Sequence, residues 1–270
     1  MKYPELSEWH VRAELIAIRD EANVSQKWIG EAIKKHQNTV GGWERGDRLP
    51  DPGNVALICL KLGVDKERAA FLLHVIEQLH EGPGVISDLE KRNLFIVEGS
   101  ERRYGRILTW DPLLLHGLLQ KEPYHMKLLA EPLEGGPAQK IKSWKRKERR
   151  IEHFFSRTDH PEARFLIPAQ AIAELSRLTE PEKEHQVQRL LEVDAMPKCE
   201  VRVVDAPHEA LHAFNIFHPD GRSDAGPPFV YVEAIDQSRH IVEDKKLALY
   251  DRIAGALWEN AIPIGRFLHG

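Results

Sequence analysis

The stretch from Val24 to Pro50, VSQKWIGEAIKKHQNTVGGWERGDRLP, constrains the fold of this 270-residue chain more than any other part. A capping serine, two short helical periodicities, and a glycine followed by a proline predict two helices joined by a tight turn. Such a pair of helices can place its second member in the major groove of DNA. The stretch therefore predicts a helix-turn-helix that binds double-stranded DNA.

Individual residues predict where the two helices begin and end. Ser25 is a good N-cap for the first helix. The inward face of that helix is expected to contain Trp28, Ile29, Ala32 and Ile33. Residues 34–36 should form the turn, and the second helix should run from about residue 37 to 45 with Val40 and Trp43 inward. Gly46 is placed to end it in a left-handed conformation, and Pro50 prevents its continuation.

Polar and basic side chains on the expected outer surface are candidates for DNA contacts. Gln37 and Asn38 can each bond bidentately to adenine, and Thr39 can contact a thymine methyl group or a phosphate. Phosphates favour the start of the first helix, and nearby basic side chains would position the protein on the DNA backbone. The candidate DNA-binding residues are Gln26, Lys27, Lys35, His36, Gln37, Asn38, Thr39, Gly42, Arg45 and Arg48.

Two consecutive glycines, Gly41 and Gly42, are expected on the same outer surface. Each costs a helix about 1 kcal/mol relative to alanine. Three readings stay open: close approach of the backbone to DNA, a helix that completes only on binding, or weak base readout. A helix-turn-helix used only for protein contact is the alternative to DNA binding.

Periodicity along the rest of the chain predicts an all-α five-helix helix-turn-helix domain followed by an α+β domain. The expected boundaries are residues 1–80, a linker at 81–88 that contains Gly82-Pro83-Gly84, and residues 89–270. Helices are expected at 90–97, 124–129, 138–155 and 182–193, and strands at 106–110, 163–167, 200–204, 213–217 and 229–235. A final amphipathic helix would bury Leu247, Tyr250, Ala254, Leu257 and Ala261. Because the strands cluster late, alternating βαβ units are not expected.

The overall composition limits the class of protein. A net charge of −4 argues against a general polycation, but a specific DNA-binding protein needs only a local basic surface. No apolar run approaches the ~20 residues of a membrane span, and no secretory signal is visible. We therefore expect a cytoplasmic protein with no membrane partner and with buried free thiols at Cys59 and Cys199.

The second domain contains three clusters that could carry chemistry. A basic helix face could contact a DNA backbone or an acidic partner, although a solvated face is favoured; it comprises Lys142, Lys145, Arg146, Arg149 and Arg150. Four histidines suggest a metal site only weakly, because their spacing in β-rich sequence does not converge; they are His208, His212, His218 and His240. Glu233 with Asp236 could be acid–base carboxylates, but a structural role in ion pairing at the end of a strand is favoured. Without a nucleophile or phosphate loop, we expect no enzyme, metal or cofactor.

The first domain resembles the xenobiotic-response-element regulators, the class that includes phage repressors and Cro. The resemblance covers about residues 12–63 and rests on Arg19, Ser25-Gln26, Ile29-Gly30, Val40, Trp43-Glu44-Arg45-Gly46 and Pro50. It implies that Arg19 and Glu44 form a structural ion pair between the first and third helices of the domain.

Residues ~90–265 resemble the C-terminal domain of the WhiJ-like regulators. The resemblance rests on Trp110–Gln120 with Tyr124, on Val230–Glu233, and more weakly on Arg149–Arg157. It implies a regulatory, antitoxin-like domain that is often paired with a small partner protein. We expect a transcriptional regulator that binds its operator as a homodimer, with a second domain that senses a ligand or partner. The alternative is an antitoxin-like module that sequesters a small protein and binds DNA only secondarily.

Overall fold

The computed structural model describes residues 5–81, 94–129, 136–233 and 238–269. The chain divides into two compact units. The first contains Met1–Arg103, Arg222–Pro227 and Ala234–Arg239, and the second contains Tyr104–Gly221, Pro228–Glu233 and His240–Gly270. Residues 82–88 of the expected linker lie outside the described residues, as does Asp236, one of the two carboxylates expected at the end of a strand.

Up to residue 103, the regular secondary structure described in the first unit is helical. Its helices are α1 (Leu6–Glu21), α2 (Gln26–Ala32), α3 (Gln37–Arg45), α4 (Pro52–Leu62), α5 (Lys66–Glu81) and α6 (Leu94–Glu101). The five helices expected in the first 80 residues are confirmed. The core of the unit contains fully buried side chains of α5, namely Phe71, Leu72, Val75 and Ile76. Of the helix expected at 90–97, residues 90–93 lie outside the described residues.

The ends of α2 and α3 follow from local signals in the sequence. The Ser25 hydroxyl accepts a hydrogen bond from the Trp28 amide at 3.1 Å, as an N-cap does. Gly46 ends α3 with φ at +81°. Trp28 was expected inward, but its side chain is 42% exposed. The reason is geometric: residues one apart lie about 100° apart around a helix, so a short helix that buries Ile29 and Ile33 turns its neighbour outward.

The later part of the chain forms a seven-stranded sheet in the order β6-β5-β4-β1-β2-β3-β7. Its strands are β1 (Arg106–Trp110), β2 (Glu162–Pro168), β3 (Cys199–Val204), β4 (Phe214–His218), β5 (Phe229–Glu233), β6 (Ser238–Ile241) and β7 (Ile262–Pro263). The helices of this part are α7 (Gly136–Phe155), α8 (Ala169–Ala173), α9 (Glu180–Asp194), α10 (Asp244–Asn260) and α11 (Ile264–His269). The predicted fold class, a helical domain followed by an α+β domain, is confirmed.

The sheet is mixed, which the sequence pattern did not indicate. Strands β1, β2 and β3 run parallel to one another, whereas β4 is antiparallel to β1 and β5 is antiparallel to β4. Parallel neighbours need long crossover connections, and here α7 joins β1 to β2 while α8 and α9 join β2 to β3. The expectation that βαβ units are absent was therefore wrong for this half of the sheet.

One face of the sheet packs against α10. Strand residues such as Trp110, Phe214 and Val230 share one buried cluster with helix residues that include Leu247, Ala254 and Leu257. The predicted apolar face of α10 is confirmed, with Tyr250 partly buried at its border. None of the described helices is long and apolar enough to cross a membrane. Cys59 and Cys199 are buried free thiols, as expected.

Candidate nucleic-acid interface

A buried ion pair fixes α3 relative to the helices before it. The Arg19 Nε atom lies 2.7 Å from Glu44 Oε1, and the Gln26 amide nitrogen donates to Glu44 Oε2 at 2.7 Å. The Glu44 side chain is 7% exposed. Its hydrogen bond to Arg19 raises the pKa of the guanidinium, which therefore remains charged at neutral pH. The ion pair implied by the repressor resemblance is confirmed, and it joins α1, α2 and α3.

This network gives Gln26 a structural role that the sequence analysis missed. Gln26 was interpreted as a contact to the DNA backbone, yet its amide nitrogen is bonded to Glu44. A signal was present in the sequence, because a buried carboxylate needs more than one donor and an arginine with a nearby amide can supply both. Its predicted contact with phosphate remains a prediction.

The other candidate residues at the starts of α2 and α3 lie on the surface. Lys27, Lys35, His36, Gln37 and Asn38 are exposed, and Thr39 is half-buried. The His36 ring nitrogen Nδ1 accepts from the Asn38 amide at 3.2 Å, so His36 caps α3. The first turn of α3 therefore presents two amide side chains at the surface, an arrangement that suits contact with base edges.

Gly41 and Gly42 are buried, which corrects the expectation that they form a bare outer surface. A Cβ atom at residue 41 would lie 3.0 Å from Arg45 Nη1 and 3.1 Å from Gln26 Oε1. A Cβ atom at residue 42 would lie 3.4 Å from Arg48 Nε. Both arginines were predicted as backbone contacts and both are exposed. Their long side chains cover the two glycines, and this is why Gly42 is not itself an exposed contact.

An aspartate that the sequence analysis did not select holds one of these arginines. Asp47 Oδ2 accepts from Arg45 Nε at 3.0 Å and from Arg45 Nη2 at 2.7 Å. Both side chains are more than half exposed. Their spacing of two residues, around a glycine that ends the helix, is the signal that could have identified the pair.

The similarity of the chain to known families agrees with this geometry. Residues 15–68 match the helix-turn-helix family, and residues 99–266 match a family described as a domain of unknown function (DUF5753). The chain belongs to the DUF5753 family. No curated protein and no solved structure is significantly similar to it. The helix-turn-helix implies DNA binding and transcriptional regulation, whereas the DUF5753 match assigns no role to the later residues.

The DUF5753 region contains a partly buried lysine that the sequence analysis passed over. Lys147, on α7, donates to Gln120 Oε1 at 2.5 Å and to His125 Nδ1 at 3.0 Å. The other ring nitrogen of His125 faces the Lys140 carbonyl, so it carries the proton and the ring is neutral. Desolvation and, to a smaller extent, the charge of Arg150 lower the pKa of the Lys147 amine to about 7.

The remaining candidates of the DUF5753 region do not converge. Within the described ranges, no group of three or more His, Cys, Asp or Glu side chains is arranged to hold a metal ion. His208 packs against Trp110, and His218 pairs with Asp251 at 2.9 Å. Of the basic face on α7, Lys142, Lys145 and Arg149 are exposed and Arg146 and Arg150 are half-buried. An open cavity of about 620 Å³ lies at the carboxyl ends of β2 and β3, lined by residues that include Gln170, Asp205 and Phe267.

Proposed function

We propose that this DUF5753 protein is a sequence-specific DNA-binding transcriptional regulator that places α3 in the major groove. The observation that carries the proposal is the Arg19–Glu44–Gln26 network. It holds α2 and α3 in one rigid arrangement and leaves Gln37 and Asn38 exposed at the start of α3. Rigid support with exposed amides is what base readout requires.

A homodimer on a two-fold operator is part of the proposal. One helix-turn-helix presents only a few side chains to base edges, so two copies on adjacent half-sites supply the necessary specificity. The later domain, in the cytoplasm and without catalysis, would sense a ligand or partner and change the affinity of the helix-turn-helix. The cavity at the ends of β2 and β3 supports a small ligand, because ligands of α/β sheets commonly bind outside the carboxyl ends of strands.

Selection of bound sequences from random duplexes, followed by anisotropy titrations with the full chain, tests DNA recognition. Replacing Gln37 or Asn38 by alanine should weaken binding to the selected sequence by about 1–3 kcal/mol per lost bidentate contact, with little effect on unrelated DNA. Gln188→Ala, which removes an exposed amide from α9, is the matched control. Enrichment of no sequence, or unchanged affinity of both α3 variants, would contradict the proposal.

An antitoxin-like role is the second candidate, and one observation favours it. Leu113, within the segment that resembles the WhiJ-like regulators, is 70% exposed, and Leu114 beside it is also exposed. Exposed leucines suit contact with an apolar patch on a partner protein. Co-expression with the product of an adjacent short gene tests this role. A stoichiometric complex that Leu113→Ser abolishes would support it, whereas purification of the chain alone would count against it.

A further inference from the structure

The last residue of α3 lies across the middle of that helix. Arg45 is 63% exposed, and its Nη1 atom is 3.0 Å from the position that a Cβ atom at Gly41 would occupy. Any larger residue at position 41 would therefore push the guanidinium away. Gly42 follows on the same helix, and Arg48 Nε lies 3.4 Å from the corresponding position there. Because Gly41 and Gly42 have no side chains, the Arg45 guanidinium has room beside the backbone of α3.

Asp47 orients this guanidinium through one of its edges. A single oxygen, Oδ2, accepts from both Nε and Nη2 of Arg45. Arginine carries five N–H donors in a rigid fork, so the edge formed by Nη1 and the second hydrogen of Nη2 is left for another acceptor pair. In the part of the chain that the structure describes, no hydrogen bond from Arg45 Nη1 is found.

The contact between Asp47 and Arg45 favours base readout by Arg45 over contact with a phosphate. A phosphate contact needs only a nearby positive charge, and a carboxylate beside that charge weakens its attraction to the DNA backbone. A bidentate contact with a base needs a fixed orientation of the fork. A guanine presents O6 and N7 as two acceptors in the major groove, and they match the free edge of an arginine.

We propose that Arg45 reads a guanine of the operator in the major groove, with Asp47 as its positioning residue and Gly41 providing the room. This inference rests on the proposed function. The sequence predicted base readout by Gln37, Asn38 and Thr39 alone. The inference adds Arg45 to these residues, and it adds a guanine to the adenine contacts expected from Gln37 and Asn38.

The test uses duplexes of the selected sequence in which each guanine in turn is replaced by 7-deazaguanine, which lacks N7. For the full wild-type chain, one such replacement in each half-site should weaken binding roughly 10- to 100-fold. Arg45→Ala should bind the unmodified duplex at least as weakly as the wild type binds the modified one, because 7-deazaguanine keeps O6, and it should lose nothing further on the modified duplex. Arg45→Lys keeps the charge and can still donate to guanine but lacks the planar fork, so its loss should be smaller than that of Arg45→Ala.

Asp47→Ala removes the acceptor oxygen that orients Arg45. The variant loses a negative charge near DNA, so its affinity for unrelated duplexes should be unchanged or increased. Its preference for guanine over adenine at the sensitive base pair should fall several-fold. Glu31→Gln is the control, because it removes an exposed carboxylate from α2 and should change the affinity for both duplexes alike. Circular dichroism of each variant checks that the helices are intact.

Each result decides the inference. If Arg45→Ala remains as sensitive to 7-deazaguanine as the wild type, or if every guanine tolerates the replacement, Arg45 does not read guanine, although specific binding through Gln37 and Asn38 still supports the proposed function. If Asp47→Ala keeps the full preference for guanine, Asp47 does not position Arg45. If no sequence is selected at all, both the inference and the proposed function are overturned.

Discussion

Arg19 in the helix-turn-helix and Lys147 in the DUF5753 region are both cations held within folded units, but their neighbours differ. Arg19 faces the carboxylate of Glu44, and this contact raises the pKa of the guanidinium. Lys147 faces a neutral amide and a neutral imidazole, and burial lowers the pKa of its amine to about 7. The charge of Arg19 is balanced by the Glu44 carboxylate, and the guanidinium stays charged and holds the helices in place at any physiological pH. Burial destabilises the charged form of Lys147, so its amine loses its proton near neutral pH.

The largest expected effect comes from removing the carboxylate of the Arg19–Glu44 pair. Glu44→Ala removes three hydrogen bonds to the carboxylate, two from Arg19 and one from Gln26, and each hydrogen bond to a charged group contributes about 1.5–3 kcal/mol. Arg19 keeps Asp20 as a partner. Urea unfolding of the variant should show this loss, with Glu31→Ala as the exposed control on α2. DNA affinity should fall as well, because α3 loses its fixed position. If Glu44→Ala is as stable as the wild type, the contact between Arg19 and Glu44 does not stabilise the fold, and Arg19 would not differ from Lys147 in this respect.

Lys147 should give the next largest effect, and it should depend on pH. The folded pKa of about 7 lies below the unfolded value of 10.5, so the unfolded chain binds more protons between these values and stability rises with pH across that window. Unfolding free energies measured from pH 7 to 10 should increase by about 2–4 kcal/mol in the wild type. In Lys147→Met, most of this increase in the unfolding free energy should be absent.

Lys145→Met is the matched control for this experiment, because it removes an exposed lysine from the same helix. Its pH dependence should follow that of the wild type. If Lys147→Met and Lys145→Met give the same slope, the charge of Lys147 does not change near neutrality. Arg19 and Lys147 would then differ in their hydrogen-bonding partners but not in how their charge depends on pH.

A third basic group, His10, differs from both Arg19 and Lys147 in its surroundings. His10 is fully buried, neither ring nitrogen has a hydrogen-bond partner among the residues that the structure describes, and burial lowers its pKa from 6.5 to about 4. Glu14 opposes this shift, whereas Arg103 and Arg68 add to it. The unfolded chain binds more protons between these values, so stability should fall by about 2–3 kcal/mol as the pH falls from 6.5 to 4.

Phenylalanine has a similar shape, so His10→Phe should remove this part of the acid sensitivity while keeping the packing against Phe71. Urea unfolding at pH 4.5 and 7 measures it. His185→Gln, at an exposed histidine of α9, is the control. Equal losses in the wild type and in His10→Phe would assign the acid sensitivity to other groups.

Local signals allowed much of the helix-turn-helix to be predicted. Ser25 and Gly46 mark helix ends because capping depends on residues within one turn. The Arg19–Glu44 pair followed from resemblance, since its partners are 25 residues apart. The cover over Gly41 and the surroundings of Lys147 could not be predicted. The first depends on side-chain rotamers, and the second depends on an amide and an imidazole that lie 27 and 22 residues away. The parallel pairing of β1 and β2 could not be predicted either, because paired residues such as Arg106 and Glu162 lie far apart in the sequence.

The order of the strands has a consequence for synthesis on the ribosome. β1 lies between β2 and β4, and Arg106 is paired with Glu162 on one side and with His218 on the other. Closing such long loops must precede any gain from pairing, which slows the assembly of sheets. A nascent chain that has reached β1 therefore carries a strand with two unpaired edges until β2 is added, since Glu162 follows Arg106 by 56 residues, and one edge stays unpaired until β4 is added, since His218 follows Arg106 by 112 residues. Chaperones that shield apolar strands have the longest opportunity to act on this segment during translation.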